Sequence, residues 1–210
     1  AARLWVAIAD VSHFVREGSA IDREALRRGN SVYFPDRAIP MLPEKLSGDL
    51  CSLRPEVDRL VLAVELDIEA DGAVTSARFH RAVVRSRARL SYPQAAAVME
   101  TGSEPGFVGL LEPEVETQLR RLAEVAQGLM QRRLAAGALD FDLPAPEVVL
   151  DEQRRPLDIV RSARSLAHRA VEEAMLAANR AVARALSKAR AATVYRVHEP
   201  PAPKKLEELQ

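Results

Sequence analysis

The dipeptide Asp71-Gly72 constrains this chain more than any other short feature. Asp-Gly supplies the positive φ that the favoured tight turns between antiparallel strands require. Runs that read as strands flank it on both sides. Arg59 to Glu69 alternates in polarity, and Ala73 to Leu90 returns as a long partner. Leu4 to Asp10 is a continuous apolar run ending in an acid, the pattern of a central strand covered on both faces.

Helices account for much of the rest. Asp22 to Arg28 reads as a short helix capped by Asp22 and stopped by Gly29. Ser31 to Phe34 is extended ahead of Pro35, and Ile39 to Ser47 is a proline-pinned loop entering one helical turn. Tyr92 to Glu100 opens a helix with Pro93 in its first turn, and 101 to 109 is a loop. Glu114 to Ala136 is a long amphipathic helix ended by Gly137, and Ser162 to Arg190 is a second. Val148 to Leu150 and Thr193 to Val197 read as further strands. The class is α+β, a mixed or antiparallel sheet flanked by long helices. No repeat or flexible linker divides the chain, so residues 1–210 read as one domain. The chain opens directly on a strand pattern and closes on the first turns of a helix, so it reads as part of a longer protein.

Composition excludes several classes. At 48% hydrophobic and 29% charged residues the chain is globular rather than disordered. A lone cysteine, Cys51, rules out an internal disulfide framework and fits a reducing cytoplasm. No apolar run approaches the roughly 18 residues of a membrane helix. Thirty Lys and Arg balance thirty Asp and Glu, so any polyanion must meet local charge. Such charge is present between Ser76 and Ser91, which hold five arginines and no acid. Arg85, Arg87 and Arg89 alternate, so in a strand they share one face. Three in register favour a polyanion-facing surface over a merely solvated one.

The second long helix separates its polar groups. At roughly 100° per residue, Val171, Ala174, Met175, Ala178 and Val182 share an apolar face. Arg169, Glu173, Arg180 and Arg184 share the opposite, solvated face, where Glu173 is set to pair with Arg169. His168, Glu172 and Asn179 fall within roughly 40° of one another on the margin of the apolar face. A carboxylate there needs hydrogen bonds or a ligand. Spacing alone does not choose between a structural cluster, with His168 and Asn179 satisfying Glu172, and a ligand contact.

Several blocks resemble one family. They are Val6-Ala-Ile-Ala-Asp-Val-Ser-His-Phe14, Gly18-Ser-Ala-Ile-Asp22, Arg28-Gly-Asn-Ser-Val-Tyr-Phe-Pro35, Ile39-Pro-Met-Leu-Pro43, Leu46-Ser47 with Leu50-Cys-Ser-Leu53, Arg89-Leu-Ser-Tyr92, His168-Arg-Ala-Val-Glu-Glu-Ala-Met175 with Ala178-Asn179, and Tyr195-Arg-Val-His-Glu-Pro-Pro201. In this order, across the whole chain, they resemble the catalytic (RNB) domain of the ribonuclease II/ribonuclease R family, and its ribonuclease R branch more than the other.

The resemblance implies a cytoplasmic, monomeric, processive 3′→5′ exoribonuclease that hydrolyses single-stranded RNA to 5′-mononucleotides with magnesium. It implies that Tyr33 and Phe141 hold stacked 3′-terminal bases between them, that Tyr92 lies beside the terminal nucleotide, and that Glu172 meets the terminal ribose. The arginine strip would suit backbone phosphates. The family's four metal-binding aspartates would precede Ala1, and its phosphate-stabilising arginine would follow Gln210. Asp10 is not one of those ligands and would shape the site from outside them. The chain therefore reads as a partial catalytic domain, with its magnesium held mainly by residues outside it and no activity of its own. A non-catalytic RNA-binding regulator on the same fold is the alternative.

Overall fold

The computed structural model describes residues 1–100, 111–140, 145–162, 164–195, 197, 199–202 and 205. The chain divides into two compact units, Ala1–Ala178 and Asn179–Gln210.

The first unit is organised by the hairpin that Asp71-Gly72 closes. Strand β1 (Ala2–Ala9) is followed by the single helical turn α1 (Val11–Phe14) and helix α2 (Ala20–Arg28). Ser19, not Asp22, caps α2, its hydroxyl accepting from the Asp22 amide. Strands β2 (Val32–Tyr33) and β3 (Ala38–Ile39) pair as a small hairpin, and Lys45–Leu50 forms a π-type turn. Strands β4 (Asp58–Ile68) and β5 (Val74–Arg85) then form the long antiparallel pair, in which Gly72 takes φ +78°.

The sheet order is β1-β4-β5. This corrects the expectation for the first strand. Among these three, β4 is central and buries Val61, Ala63, Val64, Leu66 and Ile68 from both faces, whereas β1 leaves Trp5 and Ile8 half exposed. An apolar run marks a strand well, but its place in the sheet depends on which neighbours pair with it. Strand β5 also ends at Arg85, short of Leu90.

Helices α3 (Tyr92–Glu100) and α4 (Pro113–Ala135) follow. Helix α4 buries Ala123, Ala126 and Leu129 and brings Gly128 against the hairpin turn. A Cβ on Gly72 would collide with the Gly128 carbonyl, and Arg132 pairs with Asp71 at 2.7 Å. The predicted strand at Val148–Leu150 lies within β6 (Ala145–Leu150). Its antiparallel partner β7 (Pro156–Ser162) is one that the sequence pattern does not announce. The loop predicted over 101–109 lies outside the described residues.

Helix α5 (Leu166–Lys188) begins in the first unit. In the second unit, the described residues of Thr193–Val197 form no strand. Val194 is 97% exposed and Val197 78%, so these β-prone residues gain little packing from the described residues.

Candidate functional site

Helix α5 carries the adjacent carboxylates Glu172 and Glu173, which the helical repeat turns to different sides. The structure reverses the expected placement of Glu173. It is buried, and Arg133 donates to its Oε1 from Nε and Nη2 at 2.9 and 2.7 Å. Arg169 donates instead to Asp140. The cause is the composition of the buried stripe. It runs through Ala167, Ala170, Ala177 and Ala178, while Val171 and Met175, expected inside, stay exposed. Glu173 falls within this alanine stripe, and a buried carboxylate requires a hydrogen-bonded cation.

Glu172 is the accessible member of the pair, with 41% of its side chain exposed. Arg164 donates from Nη2 to Glu172 Oε2, and from Nη1 to Asp140 Oδ1 at 2.9 Å. Among the described residues, no hydrogen bond reaches Glu172 Oε1. Asp140, between Arg169 and Arg164, is held below the usual carboxylate range by their hydrogen bonds. The Glu172 and Asp140 carboxylates in turn raise the Arg164 guanidinium above its ordinary value.

Of the two arrangements that spacing leaves open, the structural cluster around Glu172 lacks its histidine. His168 Nδ1 accepts from the Ser165 amide at 3.3 Å and lies 2.8 Å from Ser165 Oγ. Its ring stacks face to face on Tyr92, centroids 3.8 Å apart and planes 13° apart. Asn179 belongs to the second unit.

Tyr92 is positioned by the start of α3. Ser91 and Gln94 bond reciprocally: Gln94 Oε1 accepts from the Ser91 amide at 2.8 Å, and the Gln94 amide donates to Ser91 Oγ at 3.4 Å. This Ser-x-x-Gln capping box fixes the first turn, where Tyr92 stands 44% exposed. Tyr33, on the β2–β3 hairpin, is 79% exposed. Phe141 lies outside the described residues.

The arginine strip is corrected. Arg85 is the last residue of β5, so Arg87 and Arg89 lie beyond the strand and the three do not share one strand face. Nor are they free of acids. Arg85 bonds Asp58, its register partner on β4, at 2.7 Å, and Arg87 bonds Glu112 at 2.6 Å. Both carboxylates come from distant segments, which a local reading of charge overlooks. Arg89 is exposed and has no ion-pair partner among the described residues.

Asp10 is buried at the end of β1. It accepts from Ser12 Oγ at 2.6 Å, the His13 amide at 3.1 Å and Arg81 Nη2 at 2.9 Å. The Ser12 hydrogen bond leads in holding its carboxyl below the usual range. Its oxygens are thus engaged in capping α1 and holding Arg81. Among the described residues, no group of three His, Cys, Asp or Glu side chains converges as a cation's ligands would. These residues do not fit a magnesium site, and the chemistry they offer is that of binding and orienting a ligand.

Sequence reasoning missed Arg164, Asp140 and Arg133. Arg164 carried a signal, since it stands four residues before His168 and eight before Glu172, on the same helical stripe extended past the helix start. Arg133 carried none, being forty positions from Glu173.

An antiparallel α+β core thus presents two exposed tyrosines and a half-exposed carboxylate held by an arginine. Residues 1–210 match the RNB domain, and the chain belongs to the RNB domain family. It is 44% identical over 209 residues, 99% of its length, to ribonuclease R of Aquifex aeolicus, and spans 29% of that protein. It is 41% identical over 205 residues, 97% of its length, to ribonuclease R of Vibrio cholerae, and spans 24% of it. Ribonuclease R of Mycoplasma genitalium, in complex with ribose-methylated single-stranded RNA, matches with a TM-score of 0.91 and 34% identity, covering 99% of this chain and 32% of that one. No helix among the described residues is long and apolar enough to cross a membrane.

Proposed function

We propose that this chain is the nucleotide-holding part of the catalytic domain of a processive 3′→5′ exoribonuclease, which degrades single-stranded RNA to 5′-mononucleotides. The protein works as a monomer in the cytoplasm. Its magnesium is held mainly by aspartates outside these residues.

One observation carries the reading. Tyr33, which matches a base-holding position of the family, and Tyr92, which matches the tyrosine beside the terminal nucleotide and whose ring can stack on its base, are exposed instead of buried in the core. An enzyme that must accept any sequence cannot read base edges. Aromatic faces suit it, because every base has a π-face and stacking contributes about 1–3 kcal/mol per base. Glu172 adds selectivity. Arg164 fixes one of its oxygens, and the other can accept from a ribose 2′-OH that deoxyribose lacks. Phe141 completes the base clamp with Tyr33. Arg89 serves the phosphates directly, whereas Arg85 and Arg87 must first exchange Asp58 and Glu112 for phosphate.

The test is digestion of 5′-labelled single-stranded RNA by the full protein that carries this chain, with magnesium. The expected result is progressive shortening from the 3′ end with release of mononucleotides. RNA that is bound but left intact would identify a non-catalytic RNA-binding regulator. Residues 1–210 alone should release no mononucleotide, and magnesium-dependent release by them would contradict the placement of the metal ligands outside.

A further inference from the structure

We propose that His168 is a positioning residue for nucleotide binding: it acts by backing one face of Tyr92, so that a nucleotide base meets only the other. The inference rests on the reading of Tyr92 as a base contact.

The geometry is specific. The two rings lie 13° from parallel with centroids 3.8 Å apart, so the imidazole covers one face of the phenol ring. Tyr92 remains 44% exposed even so. His168 is itself held. The Ser165 amide donates to Nδ1. Ser165 Oγ meets the same nitrogen at 2.8 Å. An imidazole on an unsupported side chain would rotate about χ2, whereas here the residue just before α5 fixes it. The backbone turn that carries Tyr92 is fixed by the Ser91–Gln94 capping box. The anchored imidazole and the Tyr92 ring, carried by a fixed turn, thus stack from two separately held segments. Rigid placement limits the rotamer freedom that a base contact would otherwise remove on binding.

Glu172 is one helical turn beyond His168 on α5, so the residue that backs the base contact and the carboxylate assigned to the ribose share one helix. His168 itself does not touch the nucleotide.

The test compares variants of the full protein by equilibrium binding of a labelled single-stranded RNA in EDTA, where hydrolysis does not proceed. His168→Gln keeps an acceptor for Ser165 and removes the ring. His168→Phe keeps the ring and removes the acceptor. His168→Gln should weaken binding roughly three- to tenfold, the worth of an aromatic pair. His168→Phe should restore most of that loss, which a role confined to the Ser165 hydrogen bond would not allow. Tyr92→Ala should weaken binding at least as much, and His168→Gln added to it should have little further effect. If Tyr92→Ala weakens binding and His168→Gln does not, the positioning role is overturned alone. If neither variant changes binding, the base-contact reading of Tyr92 falls, and the positioning role with it. Equal loss in His168→Gln and His168→Phe overturns the stacking argument.

Discussion

Arg133 on α4 donates two hydrogen bonds to a single oxygen of Glu173 on α5, and both side chains are almost wholly removed from solvent. This pair ties two long helices at a point where α5 otherwise offers only alanine. Removing one partner leaves the other charge buried and uncompensated, at about 3–5 kcal/mol. Arg133→Met and Glu173→Leu should therefore each lower the urea midpoint strongly. The double variant should recover much of the loss, because two apolar side chains leave no orphan charge. Denaturant titration of the three proteins checks this. Simple additivity of the two single effects would contradict it.

The hairpin turn makes opposite predictions for two glycines in contact. Gly72 has φ +78°, and a Cβ there would strike the Gly128 backbone. Gly72→Ala should destabilise by at least about 1–3 kcal/mol. A Cβ on Gly128 meets Gly72 N at 3.5 Å, an ordinary contact. Gly128→Ala should thus gain up to about 1 kcal/mol from helix propensity. Thermal melting distinguishes the two, and a gain in both would contradict the close approach.

Acid should weaken the sheet more steeply than it would weaken one whose carboxylates were unpaired. A hydrogen bond from Arg78 holds Glu65 at about 2 against its ordinary 4.5, and those from Ser76 and Arg3 hold Asp67 at about 2 against 3.8. The unfolded chain takes up protons near the ordinary values, whereas the folded one resists them until about 2. Their stabilising contribution is complete above about pH 4.5 and is lost as the pH falls toward 2. Glu65→Gln should flatten the dependence of melting temperature on pH within that window and leave its slope near neutrality unchanged.

The hairpin, four of the helices and the α+β class were legible because each rests on a local signal: Asp-Gly, a Pro in a first turn, a terminating Gly, or an apolar repeat. What the sequence obscured depends on contacts between distant segments. Leu4 to Asp10 looks like an interior strand, yet its place at the edge of the three-stranded sheet follows from β4 pairing on both sides. Glu173 looks solvated until Arg133 arrives from α4. Arg85 and Arg87 look uncompensated until Asp58 and Glu112 fold against them. At the candidate site, Tyr33, Tyr92 and Glu172 stand out in the sequence, but the Arg164 clamp and the His168 stack do not. Both are side-chain choices that residue spacing leaves open.

Glu172 bears most directly on the proposal that this chain holds the terminal nucleotide of RNA. The most direct measurement compares the rates at which the full protein and its Glu172→Ala variant degrade single-stranded RNA and DNA of one sequence. Loss of a hydrogen bond to a charged group is worth about 1.5–3 kcal/mol. The preference for RNA should therefore fall roughly ten- to hundredfold in Glu172→Ala, mainly through slower cleavage of RNA. A preference left untouched, with both substrates slowed equally, would contradict the ribose contact and with it the nucleotide-holding role of the site.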